Sequence, residues 1–270
     1  MMRLIRRFLS VLAALIAANL TAPALAGCPG LVVDNAPLLQ RVAFQRSTVP
    51  DAHVGLTFLG HASYLIETPG GIAAVTDYNG VNIPAFTPDL ITMNNTHRTH
   101  FVPNPPAEIA KVLRGWSEDG SLPFHDVKLG DLRVRNLSTN TRDSLYGGGG
   151  TRRYGNSIFI FESEGVCIAH TSHLHHPLTP EDLDDLGKID VLILPVDGSW
   201  TLPLEDALDL VDKIRPSLVV PTHYIGPWAL ERFLTAVGDR YPKKRHPSAT
   251  ITLTKSGLPS ATEIVVLQGY

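Results

Sequence analysis

The runs at residues 189–195, apolar but for Asp190, and 218–221 constrain this chain more than any other feature, because neither alternates with polar residues. A strand apolar throughout is buried on both faces, so a layer of structure must lie on each side of it. Shorter runs at 55–59, 63–67 and 71–76 precede them, separated by Gly60 and His61 and by Pro69, Gly70 and Gly71, the turn chemistry that joins neighbouring strands. Residues 90–93 read as a further buried strand, and 132–136 and part of 157–161 alternate. Helical spacing is found at 106–116, where Ile109, Val112 and Leu113 share a face behind Pro106, and at 204–214, which Pro216 stops. Residues 229–237 read similarly, and 179–186 opens on an N-cap threonine, an N1 proline and two acids. Strands near 251–253 and 263–267 close the chain as a pair. A strand meander followed by helix–strand alternation predicts an α/β fold, a two-sheet sandwich with outer helices.

With 270 residues, 44% apolar and 18% charged, the chain can bury a large core, and its formal charge of −3 gives no reason to expect a nucleic-acid surface. Residues 1–27 read as a signal peptide: Arg3, Arg6 and Arg7 precede an apolar run at 8–20, with Ala24 and Ala26 at the cleavage positions. Leu25, Ala26, Gly27 and Cys28 are similar to a bacterial lipobox. The expected product is an exported protein, periplasmic or anchored by a lipid on Cys28, with ordinary cleavage after Ala26 as the alternative. A linker at 28–52 then leads to one domain at 53–270. Cys167, in an apolar run, reads as a small core residue. Trp116, Trp200 and Trp228 read as packing residues, and the glycine tract at 147–150 as a loop, with an active-site flap as the sharper alternative.

Polar side chains gather where the expected strands end. Asp77 follows the third strand, and Asn95, His97, Thr99 and His100 follow the strand at 90–93. His170, His173, His175 and His176 follow an apolar run at 166–169, and His223 follows that at 218–221. The spacing N-x-H-x-T-H resembles the H-x-H-x-D-H ligand turn of the metallo-β-lactamase superfamily. The stretch Leu59, Gly60, His61, Ala62, Ser63 resembles the opening motif of its ascorbate-phosphate-lactonase-like branch. Segments at Asp77, 166–176, 190–198 and 220–224 match the same family in the same order, across residues 54–270.

The resemblance implies a four-layer αββα sandwich of the metallo-β-lactamase type and a metal-dependent hydrolase. It also implies that ligands are overwritten, since Asn95 stands for the first His of the turn and Thr99 for its Asp, while the position of the first metal's third His falls near Asn140, which leaves that metal only His97. One zinc ion, or another first-row divalent metal, is then expected on His100, His173 and His223, with His170 as the reserve for His173. Asp77 would orient a ligand imidazole and His97 would shuttle protons. His61, Asn95, Asn140 and Arg142 would contact a small-molecule ester, lactone or phosphoester. Two other classes compete: a catalytically degenerate envelope protein that binds a ligand or partner in the former cleft, and a metal store built on the cluster at 170–176. Oligomeric state is not readable.

Overall fold

Among the described residues fourteen strands and three α-helices are formed, arranged around two sheets. The computed structural model describes residues 46, 48–143, 150–224 and 226–269, all within a compact unit spanning 43–270. The expected signal peptide, Cys28 and most of the linker at 28–52 lie outside the described residues. No described helix is long and apolar enough to cross a membrane.

The first sheet contains β1 (Val54–Gly60), β2 (Ser63–Glu67), β3 (Ala73–Val75), β4 (Leu90–Met93), β5 (Lys111–Arg114) and β13 (Thr250–Leu253), in the order β13-β1-β2-β3-β4-β5. The second contains β6 (Asp126–Leu129), β7 (Leu132–Asp143), β8 (Gly150–Ser163), β9 (Val166–His170), β10 (Val191–Pro195), β11 (Leu218–Thr222), β12 (Lys243–Arg245) and β14 (Glu263–Val266). Its order is β12-β14-β11-β10-β9-β8-β7-β6, parallel from β12 to β9 and antiparallel beyond. This is a mixed α/β fold built on two sheets.

Side-chain alternation explains the uninterrupted apolar runs. Val191 and Ile193 of β10 face the core between the sheets with Leu56, Phe58, Phe159 and Phe161, whereas Leu192 and Leu194 face outward under helices. Those helices are α1 (Pro180–Leu186), α2 (Leu204–Ile214) and α3 (Pro227–Val237). In α1 the expected N-cap is a reciprocal capping box: Asp182 N donates to Thr179 Oγ1 at 3.1 Å, and Thr179 N donates to Asp182 Oδ2 at 2.9 Å. Ala207, Leu208, Leu210 and Val211 of α2 and Phe233 of α3 complete this outer core.

The outer face of the first sheet differs from the expected fourth layer. Leu65, Val75, Ile91 and Met93 are covered there by Tyr78, Ile109 and Trp116, which lie on loops or strand ends; among the described residues no helix covers this face. The helix expected at 106–116 is a turn followed by β5. Its three apolar residues divide between faces, Leu113 toward the inter-sheet core and Ile109 and Val112 outward, which three residues over five positions cannot distinguish from a helical stripe.

The closing strands are not a pair either: β13 adds to β1 in the first sheet and β14 sits between β11 and β12 in the second. Trp116 is buried as expected, but Trp200 and Trp228 are 69% and 62% exposed, the latter carrying Arg232 over its ring. Cys167 is half-buried and free. Of the glycine tract only Gly150 is described, as the first residue of β8.

Gly115 locks the end of β5 onto β4. Its N–H donates to Met93 O at 2.8 Å, and a Cβ there would sit 2.4 Å from the Asn94 carbonyl oxygen and 2.9 Å from Ser157 Cβ. Both neighbours are buried and polar, so neither can swing aside. Gly115→Ala should cost about 1–3 kcal/mol, the usual range for overpacking, read as a lower urea midpoint at unchanged slope; an unchanged midpoint would show that the β4 end yields freely.

Candidate metal centre

Strand ends carry the site, and the backbone there is held in an unfavourable conformation. His61, Asp77, Ser172 and His223, which follow β1, β3, β9 and β11, have φ of 53°, 44°, 49° and 55°. The left-handed region is uncommon for residues other than glycine, and its concentration at one locus is a mark of functional sites. Each turn swings a polar side chain out of its strand's line, and the four converge.

Asp77 is fully buried and meets three donors. Ser172 Oγ donates to Oδ2 at 2.7 Å, Asn94 N–H to Oδ1 at 3.1 Å, and His100 Nδ1 lies 2.6 Å from Oδ2. Burial raises the Asp77 pKa, opposed by His170, Ser172 and the Asn94 amide. With Ser172 and Asn94 already donating, His100 supplies the third hydrogen, so its Nδ1 is protonated and Nε2 keeps a lone pair.

His223 repeats the arrangement. Its Nδ1 lies 3.1 Å from Asp197 Oδ1, and Asp197 also accepts from Ser199 N at 3.1 Å, Trp200 N at 2.6 Å and the Thr201 hydroxyl. Burial works to raise the Asp197 carboxyl, but hydrogen bonds from His223 and Thr201 outweigh it and hold it low. In the tautomer that donates from Nδ1 to Asp197 alone, His223 presents an Nε2 lone pair to His100 Nε2 at 3.2 Å. Two imidazole lone pairs at that separation repel unless something positive lies between them.

Five imidazoles crowd this spot. Ring centroids of His100, His173 and His223 are mutually 5.1–5.2 Å apart, and His61 lies 4.4 Å from His223. Donor atoms of His61, His100 and His223 fall within 4.8 Å of one another, as do those of His97, His100 and His173. Burial, and the proximity of other histidines, depresses the pKa of His61 to about 3 and of His173 to about 2, and pushes that of His100 well down. These shifts favour the neutral form of all three rings, the form that binds metals. Both nitrogens of His173 are buried without a hydrogen-bond partner.

Charge balance points the same way. Among the described residues no lysine or arginine touches a carboxylate oxygen of Asp77 or Asp197, and the two buried acids stand behind the imidazoles of His100 and His223. Buried carboxylates are stable when paired or beside a metal. A divalent cation fits both the donor set and the charge.

The other expected residues are placed as follows. His97 is the exposed ring of the five, its Nδ1 3.0 Å from Thr99 Oγ1. His170 is fully buried beneath Asp77, its Nε2 3.8 Å from Oδ2, and belongs to neither converging group, unlike His173. Asn95 Oδ1 caps its own turn by accepting from His97 N at 2.6 Å, and Asn140 Oδ1 accepts from Tyr154 N at 3.2 Å. Asn140 and Arg142 lie on β7 rather than in a loop, and the Arg142 guanidinium donates to Ser199 O at 3.0 Å. His176 is held at both nitrogens, by Asn140 N at 3.2 Å and Pro177 O at 2.8 Å, so that ring has no free nitrogen for a metal store.

Asp197 and Ser172 are the partners that sequence reading missed. Their signal lay in the strand register: Pro195 pairs with Thr222, which sets Asp197 beside His223 just past the parallel ends of β10 and β11.

Comparisons with known proteins agree with this architecture. A family model described as the beta-lactamase superfamily domain matches residues 55–223. A protein of Nanoarchaeum equitans is 41% identical over 183 residues, covering 63% of this chain and 83% of its own. One of Carboxydothermus hydrogenoformans is 25% identical over 233 residues, covering 78% and 99%. Both are named metal-dependent hydrolases. Among solved structures, a Thermotoga maritima protein of the metallo-β-lactamase superfamily superposes with a TM-score of 0.58 at 23% identity, covering 79% of this chain and 98% of that one. A metallo hydrolase from Ignicoccus hospitalis gives 0.53 at 19%, covering 74% and 98%. At such identities the likeness shows the fold.

Asp77→Asn provides a test of the tautomer argument. The carboxamide presents an N–H to His100, which moves the ring hydrogen to Nε2 and removes the lone pair facing His223. Nitrogen-15 NMR should report the switched tautomer, and zinc affinity should fall about 10–100-fold, as for other partners behind a ligand; an unswitched His100 would refute the assignment.

Proposed function

The chain belongs to the beta-lactamase superfamily, and on that premise we propose that it is a metal-dependent hydrolase using one zinc ion, gripped by His100 and His223, to cut an ester, lactone or phosphoester. The observation that carries this reading is the pair of carboxylate-backed imidazoles whose Nε2 atoms lie 3.2 Å apart. Zinc–nitrogen bonds of about 2.0–2.1 Å at tetrahedral angles set ligand nitrogens roughly 3.3–3.4 Å apart, close to this separation.

The tautomer of His100 supports a single ion. His100 belongs to both converging groups, yet Asp77 occupies its Nδ1, and one remaining lone pair serves one cation. A third imidazole from the cluster would leave a fourth position open, the arrangement of catalytic rather than structural sites.

When bound, zinc supplies Lewis acidity, lowering the pKa of water to about 7 and polarising the bond to be cut. The chain's own residues do the rest. Asp77 and Asp197 orient the two gripping rings and balance the cation. His97, the exposed ring, is placed to pass a proton between site and solvent, and the Arg142 guanidinium stands near the loop at 197–201 to meet a polar substrate group. A degenerate binding cleft is the weaker reading, since it gives no reason to keep two acids buried behind converging imidazoles.

We further propose export, supported by the basic and apolar segments of residues 1–27, with lipid attachment at Cys28 as the one membrane contact and a small molecule as substrate. Purified protein should contain close to one zinc ion. Against chromogenic esters, lactones and phosphodiesters, His223→Ala should lower kcat/KM at least about 1000-fold, near 4 kcal/mol of transition-state stabilisation, and chelation of the wild type should do the same until zinc is restored. Turnover that survives both treatments would rule the proposal out.

A further inference from the structure

Thr99 stands where the ligand turn of the family carries an acid, and its hydroxyl is shared between two histidines. Oγ1 lies 3.0 Å from His61 Nε2 and 3.0 Å from His97 Nδ1. A hydroxyl has one hydrogen, so it donates to one of these rings and accepts from the other. The ring that receives the hydrogen at one nitrogen, being neutral, carries its own hydrogen on the other and has no lone pair left for a cation. The ring that donates to Thr99 keeps its second nitrogen as a lone pair. Only one of His61 and His97 is ready to bind a metal at a time.

His61 is the better placed of the two. Its carbonyl accepts from His223 N at 3.0 Å and from Thr222 Oγ1 at 2.8 Å, which fastens it to the residue already gripping the cation. Its ring is the nearest to His223, at 4.4 Å between centroids, and its donor atom converges with those of His100 and His223. The left-handed backbone at φ 53° aims the ring into the cluster. His97 is exposed, and the group it belongs to contains neither His223 nor any other carboxylate-backed ring besides His100.

We propose that His61 is the third protein ligand of the cation, oriented by Thr99, and that His173 lines the open fourth position instead of ligating. This rests on the one-cation reading above and exchanges the roles that sequence spacing assigns to His61 and His173. It also accounts for the missing acid: in place of an Asp ligand, the turn carries a hydroxyl that sets the tautomer of a ligand borne by another loop.

The test is zinc affinity by competition with a chromophoric chelator, together with the visible spectrum of the cobalt(II)-loaded full chain. His61→Asn keeps a residue that tolerates the left-handed conformation while removing the imidazole, and thermal melting checks its folding. Affinity should fall more than about 100-fold, beyond the 10–100-fold that loss of a mere orienting partner costs, whereas His97→Ala and His173→Ala stay within about threefold of wild type. The cobalt spectrum should lose intensity or shift in His61→Asn alone. Full zinc affinity in folded His61→Asn, or an equal loss in His97→Ala or His173→Ala, overturns the assignment while leaving the one-cation reading intact. A wild-type chain that binds neither metal overturns both.

Discussion

The hydrogen bond between His100 and Asp77 is the interaction on which the rest of the centre depends. Removing a carboxylate from water is costly unless donors replace the solvent, and here three donors come from two strand ends: Asn94 after β4, His100 from the loop beyond it, and Ser172 after β9. One buried acid thereby ties the first sheet to the second at the edge where both present their loops. The left-handed backbone of Asp77 and Ser172 is tolerated because this network over-determines it.

A second acid, Asp197, repeats the device from the far side, and the two explain how a ligand turn with altered residues can still serve a cation. The negative charge missing at Thr99 stands one layer back, behind His100 and His223, where it raises ligand basicity and fixes tautomers. Imidazoles in front and carboxylates behind give a site whose charge suits a cation. Asn95, freed from ligation, caps the turn that presents His97.

Much of this was legible in the sequence where a local pattern had one physical reading. Residues 90–93 and 191–195 could only be strands buried on two faces, and Thr179 with Asp182 could only open a helix. Residues 106–116 misled because three apolar side chains fit either period, and only the partner strand β4 decides between them. In the site, the histidines were visible as residues at strand ends, but their roles were not. Whether His61 or His173 meets His223 depends on φ at a turn and on which hydroxyl holds which nitrogen. Likewise Asp197 gains its meaning from the register of β10 against β11, a long-range fact that residue types do not encode.

The arms of the β7–β8 hairpin carry a consequence for how such a protein changes over time. They are 12 and 14 residues long, their register shifts between Thr139 and Thr141, and beyond that bend they reach the loops of the centre through Arg152 on Thr96 and Arg142 on Ser199. None of the gripping imidazoles or their acids lies on these arms. Changes at Thr141, Arg142 or Arg152 alter what the ribbon presents to those loops without touching a gripping ring. Selection on what is admitted can therefore proceed on one ribbon, while the gripping rings and their acids are left as they are.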